Sequence, residues 1–128
     1  MQGLEITVEE KPAGGGVPVV HLQGEIDLHT CPDLRTALGS LMDRGYYRLV
    51  LDLADVPYLD SAALGVLVDA VRRARENNGG IYLVKVATFV QRAFEITRLI
   101  KIFELHTGIA DAQLAAKQAN AVAPAPAE

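Results

Sequence analysis

The sequence predicts a single α/β domain built on a mixed, mostly parallel sheet, and three observations carry that expectation. Short β-rich segments alternate with segments whose apolar residues recur at helical spacing. Arg48-Leu49-Val50-Leu51-Asp52-Leu53 is a nearly continuous apolar run, the pattern of a strand covered on both faces in a parallel sheet. The chain has 128 residues of which 50% are hydrophobic, enough to close one core.

The elements follow in order. Ile6 and Val8 alternate with polar neighbours, and Val17 to Leu22 is a second β-rich run, so Ala13-Gly14-Gly15-Gly16 between them reads as a flexible hairpin turn. No Lys-Ser or Lys-Thr follows those glycines and a strand comes next, which sets aside a phosphate loop. Leu34, Ala37, Leu38, Leu41 and Met42 then recur at helical spacing, with Thr30 and Asp33 as an expected capping pair, Pro32 in the first turn and Gly45 past the end. After the apolar strand, Leu64, Leu67, Val68, Val71 and Ala74 form the buried stripe of a second helix that stops at Asn77-Asn78-Gly79-Gly80. Ile81 to Val86 is the next strand, and Thr88 is expected to cap a third helix with Val90, Ala93, Phe94 and Leu99 on its apolar face. Ile102 to Leu105 reads as a short strand, followed by a last helix from Ile109 to about Lys117. Residues 1–117 are thus the expected domain, and 118–128, where proline alternates with alanine, an extended or disordered tail.

Composition narrows the function classes. The formal charge is −4, and the basic cluster Arg72-Arg73-Ala74-Arg75 reads as the solvated face of a helix, so neither nucleic acid nor an anionic membrane is an expected partner. Cys31 is the only cysteine, which leaves no internal disulfide and no thiolate metal cluster. Met1 to Glu10 has no basic and apolar leader pattern, and no stretch reaches the roughly 20 apolar residues of a membrane span, so the expected location is cytoplasmic.

The informative place is one edge of the sheet. The strands ending near Gly24 and Leu53 should be parallel, so the loops after them lie together, where open α/β folds commonly bind partners. Asp27 comes from the first loop; Asp60, Ser61 and Ala62 come from the second. Ser61 has two readings: it caps the second helix, or Asp60 caps it and the Ser61 hydroxyl stays free in the first turn. In the second reading Ala62 and Ala63 leave the approach uncluttered, and a phosphate on Ser61 would meet a helix N-terminus that favours negative charge. Asp27 is either a turn-stabilising carboxylate or a partner contact. Catalysis has little support, because the three histidines, His21, His29 and His106, are scattered and no base with an orienting partner falls beside Ser61. Asp27 and His29 without a third ligand make no metal site. Asp27, Asp52, Asp55 and Lys85 do not form the pattern of a phospho-aspartate receiver.

Together, Gly24-Glu25-Ile26-Asp27, Leu51-Asp52-Leu53, Leu59-Asp60-Ser61-Ala62-Ala63-Leu64-Gly65, Phe94-Glu95-Ile96-Thr97-Arg98-Leu99 and Ile102-Phe103 resemble the STAS domains, and within them the bacterial anti-sigma factor antagonists. The resemblance runs from about Leu4 to Leu114. It implies an α/β single domain with helices packed mainly on one sheet face. It places the family's phosphorylated serine on Ser61, and its partner-binding surface on Asp27, Asp60, Ser61 and Ala62. The implied partners are an anti-sigma factor that is also a serine kinase, which would bring the ATP and magnesium, and a PP2C-type phosphatase. No cofactor or metal of its own is implied. The sequence departs from the family's usual pattern at Ala62 and Ala63, where Ser or Thr and then Gly is common, and at Arg98, where Gly is. Two rivals share the edge: a STAS module that binds a transporter ATPase or signalling scaffold without phosphorylation, and a nucleotide or small-molecule domain.

Overall fold

Period-2 and continuous apolar runs form the strands, and period-3.6 runs the helices, of the computed structural model, which describes residues 3–10, 17–96 and 103–121. The order is β1 (Glu5–Glu9), β2 (Val19–Gln23), α1 (Cys31–Asp43), β3 (Arg48–Asp55), α2 (Ser61–Glu76), β4 (Gly80–Val84), α3 (Thr88–Ile96), β5 (Glu104–His106) and α4 (Ile109–Ala121). The strands lie side by side in sequence order in one five-stranded sheet. β1 pairs antiparallel with β2, and every later pairing is parallel.

The strand side chains divide by parity. Val20, Leu22, Leu49, Leu51, Leu53, Ile81 and Leu83 share one cluster with the buried stripes of α1 and α2 and with Val90 and Phe94 of α3. Val19, Val50, Tyr82 and Val84 point the other way and meet Ala112 and Ala116 of α4. The expected arrangement, helices mainly on one face, is thus the observed one, and among the described helices α4 alone covers the second. Buried Gln113 fixes α4 there by donating from Nε2 to the Val17 carbonyl at 2.9 Å. Phe94, fully buried, stacks on Phe103 with ring centroids 5.0 Å apart and so closes the end of the main core.

Several expected boundaries moved. β4 stops at Val84 rather than Val86 because Lys85 adopts a left-handed φ of 58°, which breaks the extended run and turns the chain toward α3. Thr88 is the first residue of α3 rather than its cap: the Ala87 carbonyl accepts from Gln91 N–H at 2.8 Å and so occupies the capping position. α4 runs to Ala121, past the expected end near Lys117. The glycine turn, Leu99, Ile102 and residues 122–128 lie outside the described residues.

One polar cluster interrupts the second sheet face. His21 and Asp52 are register partners across β2 and β3, and His21 Nδ1 lies 2.8 Å from Asp52 Oδ2 while Nε2 lies 3.3 Å from Glu9 Oε1. A ring with a carboxylate at each nitrogen is suited to the doubly protonated form. Partial burial opposes the charge, but the hydrogen bonds to Asp52 and then Glu9 outweigh it, so the His21 pKa is raised above 6.5. Protonation therefore favours the folded state: the stabilisation is complete below the unfolded value of 6.5 and is lost as pH rises through the raised folded value. Urea titrations should show His21→Gln destabilised relative to wild type more at pH 5.5 than at pH 9; an equal difference at both would remove the protonated pair from the account.

Candidate functional site

β2 and β3 leave the sheet side by side, and their pairing continues into the loops. Gly24 N–H donates to the Asp55 carbonyl at 3.0 Å, Ile26 N–H to Tyr58 at 3.2 Å, and Asp60 N–H to Ile26 at 3.1 Å. Ile26 and Leu59 form a parallel bridge beyond the strands, and both side chains are buried in the main core. Each loop is therefore held by an apolar plug and by backbone bonds to the other. Gly24 permits the departure: its φ is 123°, and a Cβ there would stand 2.6 Å from the Gly3 carbonyl.

Asp60 ends this ladder and starts α2. Its backbone is extended, and its Oδ1 accepts from Ala63 N–H at 3.0 Å, which makes it the N-cap. Its Oδ2 accepts from Leu28 N–H at 3.1 Å, so one carboxylate joins both loops. Ser61 is the first helical residue, is exposed, and its hydroxyl has no hydrogen-bond partner among the described residues. Of the two readings of this pair, the one with Asp60 as cap holds. Ala62 is half-buried beside it, whereas Ala63 is fully buried and faces the core. The expectation that Ala63 helps clear the approach is corrected accordingly: its contribution is the capped N–H.

Asp27 is a turn-former. Its Oδ1 accepts from His29 N–H at 2.9 Å and Thr30 N–H at 3.0 Å, and it stands 3.2 Å from the Thr30 hydroxyl, whose one proton it shares with the Glu25 carbonyl. These bonds, led by that from the Thr30 backbone, outweigh burial and lower the Asp27 pKa below 3.8. Oδ2 has no hydrogen-bond partner among the described residues, so the ionised group retains an open acceptor. The expected Thr30 and Asp33 capping pair is not formed. Thr30 occupies the N-cap position of α1, but its hydroxyl turns back to the Glu25 carbonyl at 2.9 Å and accepts from Asp27 N–H at 2.9 Å. The sequence offered Thr30 as a cap, and the fold uses it as the clasp of the first loop.

The chemistry available is that of an exposed alcohol beside the Asp60 carboxylate, both of whose oxygens are committed to backbone donors. No imidazole or carboxylate is hydrogen-bonded to Ser61, and Asp52 is engaged with His21 on the sheet face. Among the described residues there is no group of three side chains able to hold a metal ion, and no helix is long and apolar enough to cross a membrane. Two features escaped the sequence reading: the Leu28 N–H that donates to Asp60, and a stacked Tyr58–Phe89 pair with centroids 6.0 Å apart. The available signal was bulky apolar residues outside the expected core stripes, Leu28 and Tyr58 in predicted loops and Phe89 at the start of the predicted third helix.

Residues 9–112 match the STAS domain family. The chain belongs to that family. This STAS domain is 30% identical over 89 residues to an anti-sigma-B factor antagonist of Staphylococcus epidermidis, covering 70% of this chain and 82% of the relative. It is similar to the crystal structure of an anti-sigma factor antagonist from Mycobacterium paratuberculosis, with TM-score 0.77, 31% identity, and 89% and 94% of the two chains covered. The fold is shared with the phosphorylated form of the Bacillus cell fate determinant SpoIIAA, with TM-score 0.67, 16% identity, and 87% and 99% covered. The STAS domain therefore stands among the anti-sigma factor antagonists, which are regulators by name.

The double role of Asp60 gives a stability test. Asp60→Ala removes a cap and an inter-loop bond, each worth about 1 kcal/mol, so urea unfolding should show a loss of about 2 kcal/mol. Asp60→Asn keeps an acceptor for Ala63 but turns its amide nitrogen toward Leu28 N–H, and should recover about half of that loss. Full recovery by Asn would mean that the Leu28 bond contributes nothing.

Proposed function

We propose that this STAS domain is a phosphorylation-gated anti-sigma factor antagonist. Unmodified, it binds an anti-sigma factor that is also a serine kinase, and so frees a sigma factor; phosphorylation of Ser61 ends the binding, and a PP2C-type phosphatase restores it. ATP and magnesium belong to the kinase. The observation that carries this reading is the division of labour at the start of α2, where Asp60 satisfies the helix and leaves the exposed Ser61 hydroxyl without a partner. The relatives' names supply the anti-sigma factor as partner class, and the phosphorylated SpoIIAA shows that this fold accommodates the modification in another protein.

The added phosphate carries about −1.5 to −2 charges at neutral pH. It would sit beside the Asp60 carboxylate and near the Asp27 loop, in the surface the partner must desolvate. A penalty of about 3 kcal/mol there weakens binding about 100-fold. Within the domain, the helix terminus offsets part of the repulsion, by about 0.3 to 1 kcal/mol. The modification therefore changes the surface and leaves the fold intact.

Ser61→Ala should retain partner binding and take up no phosphate from the kinase, whereas Ser61→Asp should bind about 100-fold more weakly with little change in melting temperature. Equal affinities of wild type and Ser61→Asp for the kinase would refute the switch. Phosphosite mapping of protein from its native cell separates this reading from a STAS module that docks without modification.

Asp27→Ala should lower the urea midpoint, since it removes two accepted backbone hydrogen bonds, and should impair docking or phosphoryl transfer while the domain stays folded. Asp27→Asn, which keeps an acceptor oxygen for the turn, isolates the charge. Normal binding and phosphorylation in both variants would confine Asp27 to its turn.

A further inference from the structure

Among the described residues, the large apolar side chains left exposed are Leu28, Tyr58, Phe89, Ile96 and Leu114, and the first three gather at the edge that carries Ser61. Leu28 is 68% exposed, Phe89 60% and Tyr58 40%. Leu28 and Tyr58 come from the connections after β2 and β3, Phe89 comes from the first turn of α3, and none fills the core. Backbone bonds and ring stacking nevertheless restrain them. Leu28 N–H is held by Asp60 at 3.1 Å, the Tyr58 carbonyl by Ile26 N–H at 3.2 Å, and the Tyr58 and Phe89 rings stack at 6.0 Å and 28°. Ordered apolar groups with no internal use, rimmed by polar ones, mark a surface that another protein covers, because little entropy remains to be lost when they are buried.

We infer that Leu28 and the stacked Tyr58–Phe89 pair are the apolar anchors on which the anti-sigma factor seats. This rests on the function proposed above and adds the surface through which it acts. Continuity chooses the occupant: Leu28 and Tyr58 are bonded to the same loop ladder that presents Asp60 and Ser61. Charge sets its chemistry, since the rim beside Leu28 and Ser61 carries Glu25, Asp27 and Asp60. A second copy of this chain docking by two-fold symmetry would bring that acidic rim against itself. The fitting partner has an apolar patch opposite the anchors with basic groups around it, the arrangement of an apolar centre and polar rim usual at protein interfaces. With apolar anchors beside it, a phosphate on Ser61 is stripped of water when the partner seats, so desolvation is the source of the switch.

The test titrates each purified anti-sigma factor kinase of the source cell against wild type, Leu28→Ala, Phe89→Ala, Leu114→Ala and Ser61→Asp, with urea unfolding of each variant. Leu28→Ala and Phe89→Ala should each weaken binding about tenfold or more while keeping the wild-type urea midpoint. Leu114→Ala, equally open to solvent at 56% exposure but on α4, should bind as wild type. Wild-type affinity in Leu28→Ala and Phe89→Ala overturns the anchors; if Ser61→Asp still loses affinity in that experiment, the phosphorylation reading stands without them. Weakened binding in the two anchor variants together with full affinity of Ser61→Asp upholds the anchors and refutes the switch. Failure of wild type to bind any of the kinases overturns both, and sedimentation showing a dimer that Leu28→Ala dissolves overturns the anchors.

Discussion

The parallel pairing of β2 with β3, carried past the strands by the Ile26–Leu59 bridge, is the constraint on which the rest depends. Parallel neighbours require crossovers of one hand, which place α1 and α2 on the same sheet face and their N-termini at the same edge. The bridge then removes the freedom that two long connections would otherwise have. Ile26 and Leu59 bury apolar surface worth about 1.5 to 3 kcal/mol per side chain, while the backbone bonds flanking them leave few polar groups unsatisfied. Loops held in this way present their side chains as rigidly as a strand does.

Asp60 turns that rigidity into chemical selectivity. Neighbouring residues with oxygen-bearing side chains stand at the start of α2, and either could have satisfied the helix. Because the carboxylate takes the cap and the Leu28 N–H together, the alcohol remains uncommitted. A charge placed on it meets a mild attraction from the helix terminus and a much larger penalty at any apolar interface built over it. On the proposed function, the difference between about 1 and about 3 kcal/mol would let a partner read such a modification while the fold hardly felt it.

Much of this was legible beforehand because the signals were local. The stripe Leu64, Leu67, Val71, Ala74 has one helical period whatever surrounds it, and Asp60 directly before that stripe is a helix-start pattern in its own right. Parallel order at the edge followed from the alternation of strands and helices alone. What escaped depends on groups distant in sequence. Thr30 had the composition of a cap, but a competing acceptor, the Glu25 carbonyl, lay within reach once the loop had closed. His21 and Asp52 are partners only through β2–β3 register, and Tyr58 and Phe89 only through the approach of the β3–α2 connection to the first turn of α3.

By itself, then, the sequence determined which segments are strands and helices, that the strands run mostly parallel, and that Asp27, Asp60 and Ser61 share an edge, since periodicity and handed crossovers are properties of the chain's own covalent order. The tertiary structure alone decided which oxygen binds which N–H, that α4 takes the second sheet face, and that Leu28, Tyr58 and Phe89 stay in solvent. Those outcomes are competitions among groups brought together only by folding, and the winner is set by distances that no local pattern encodes.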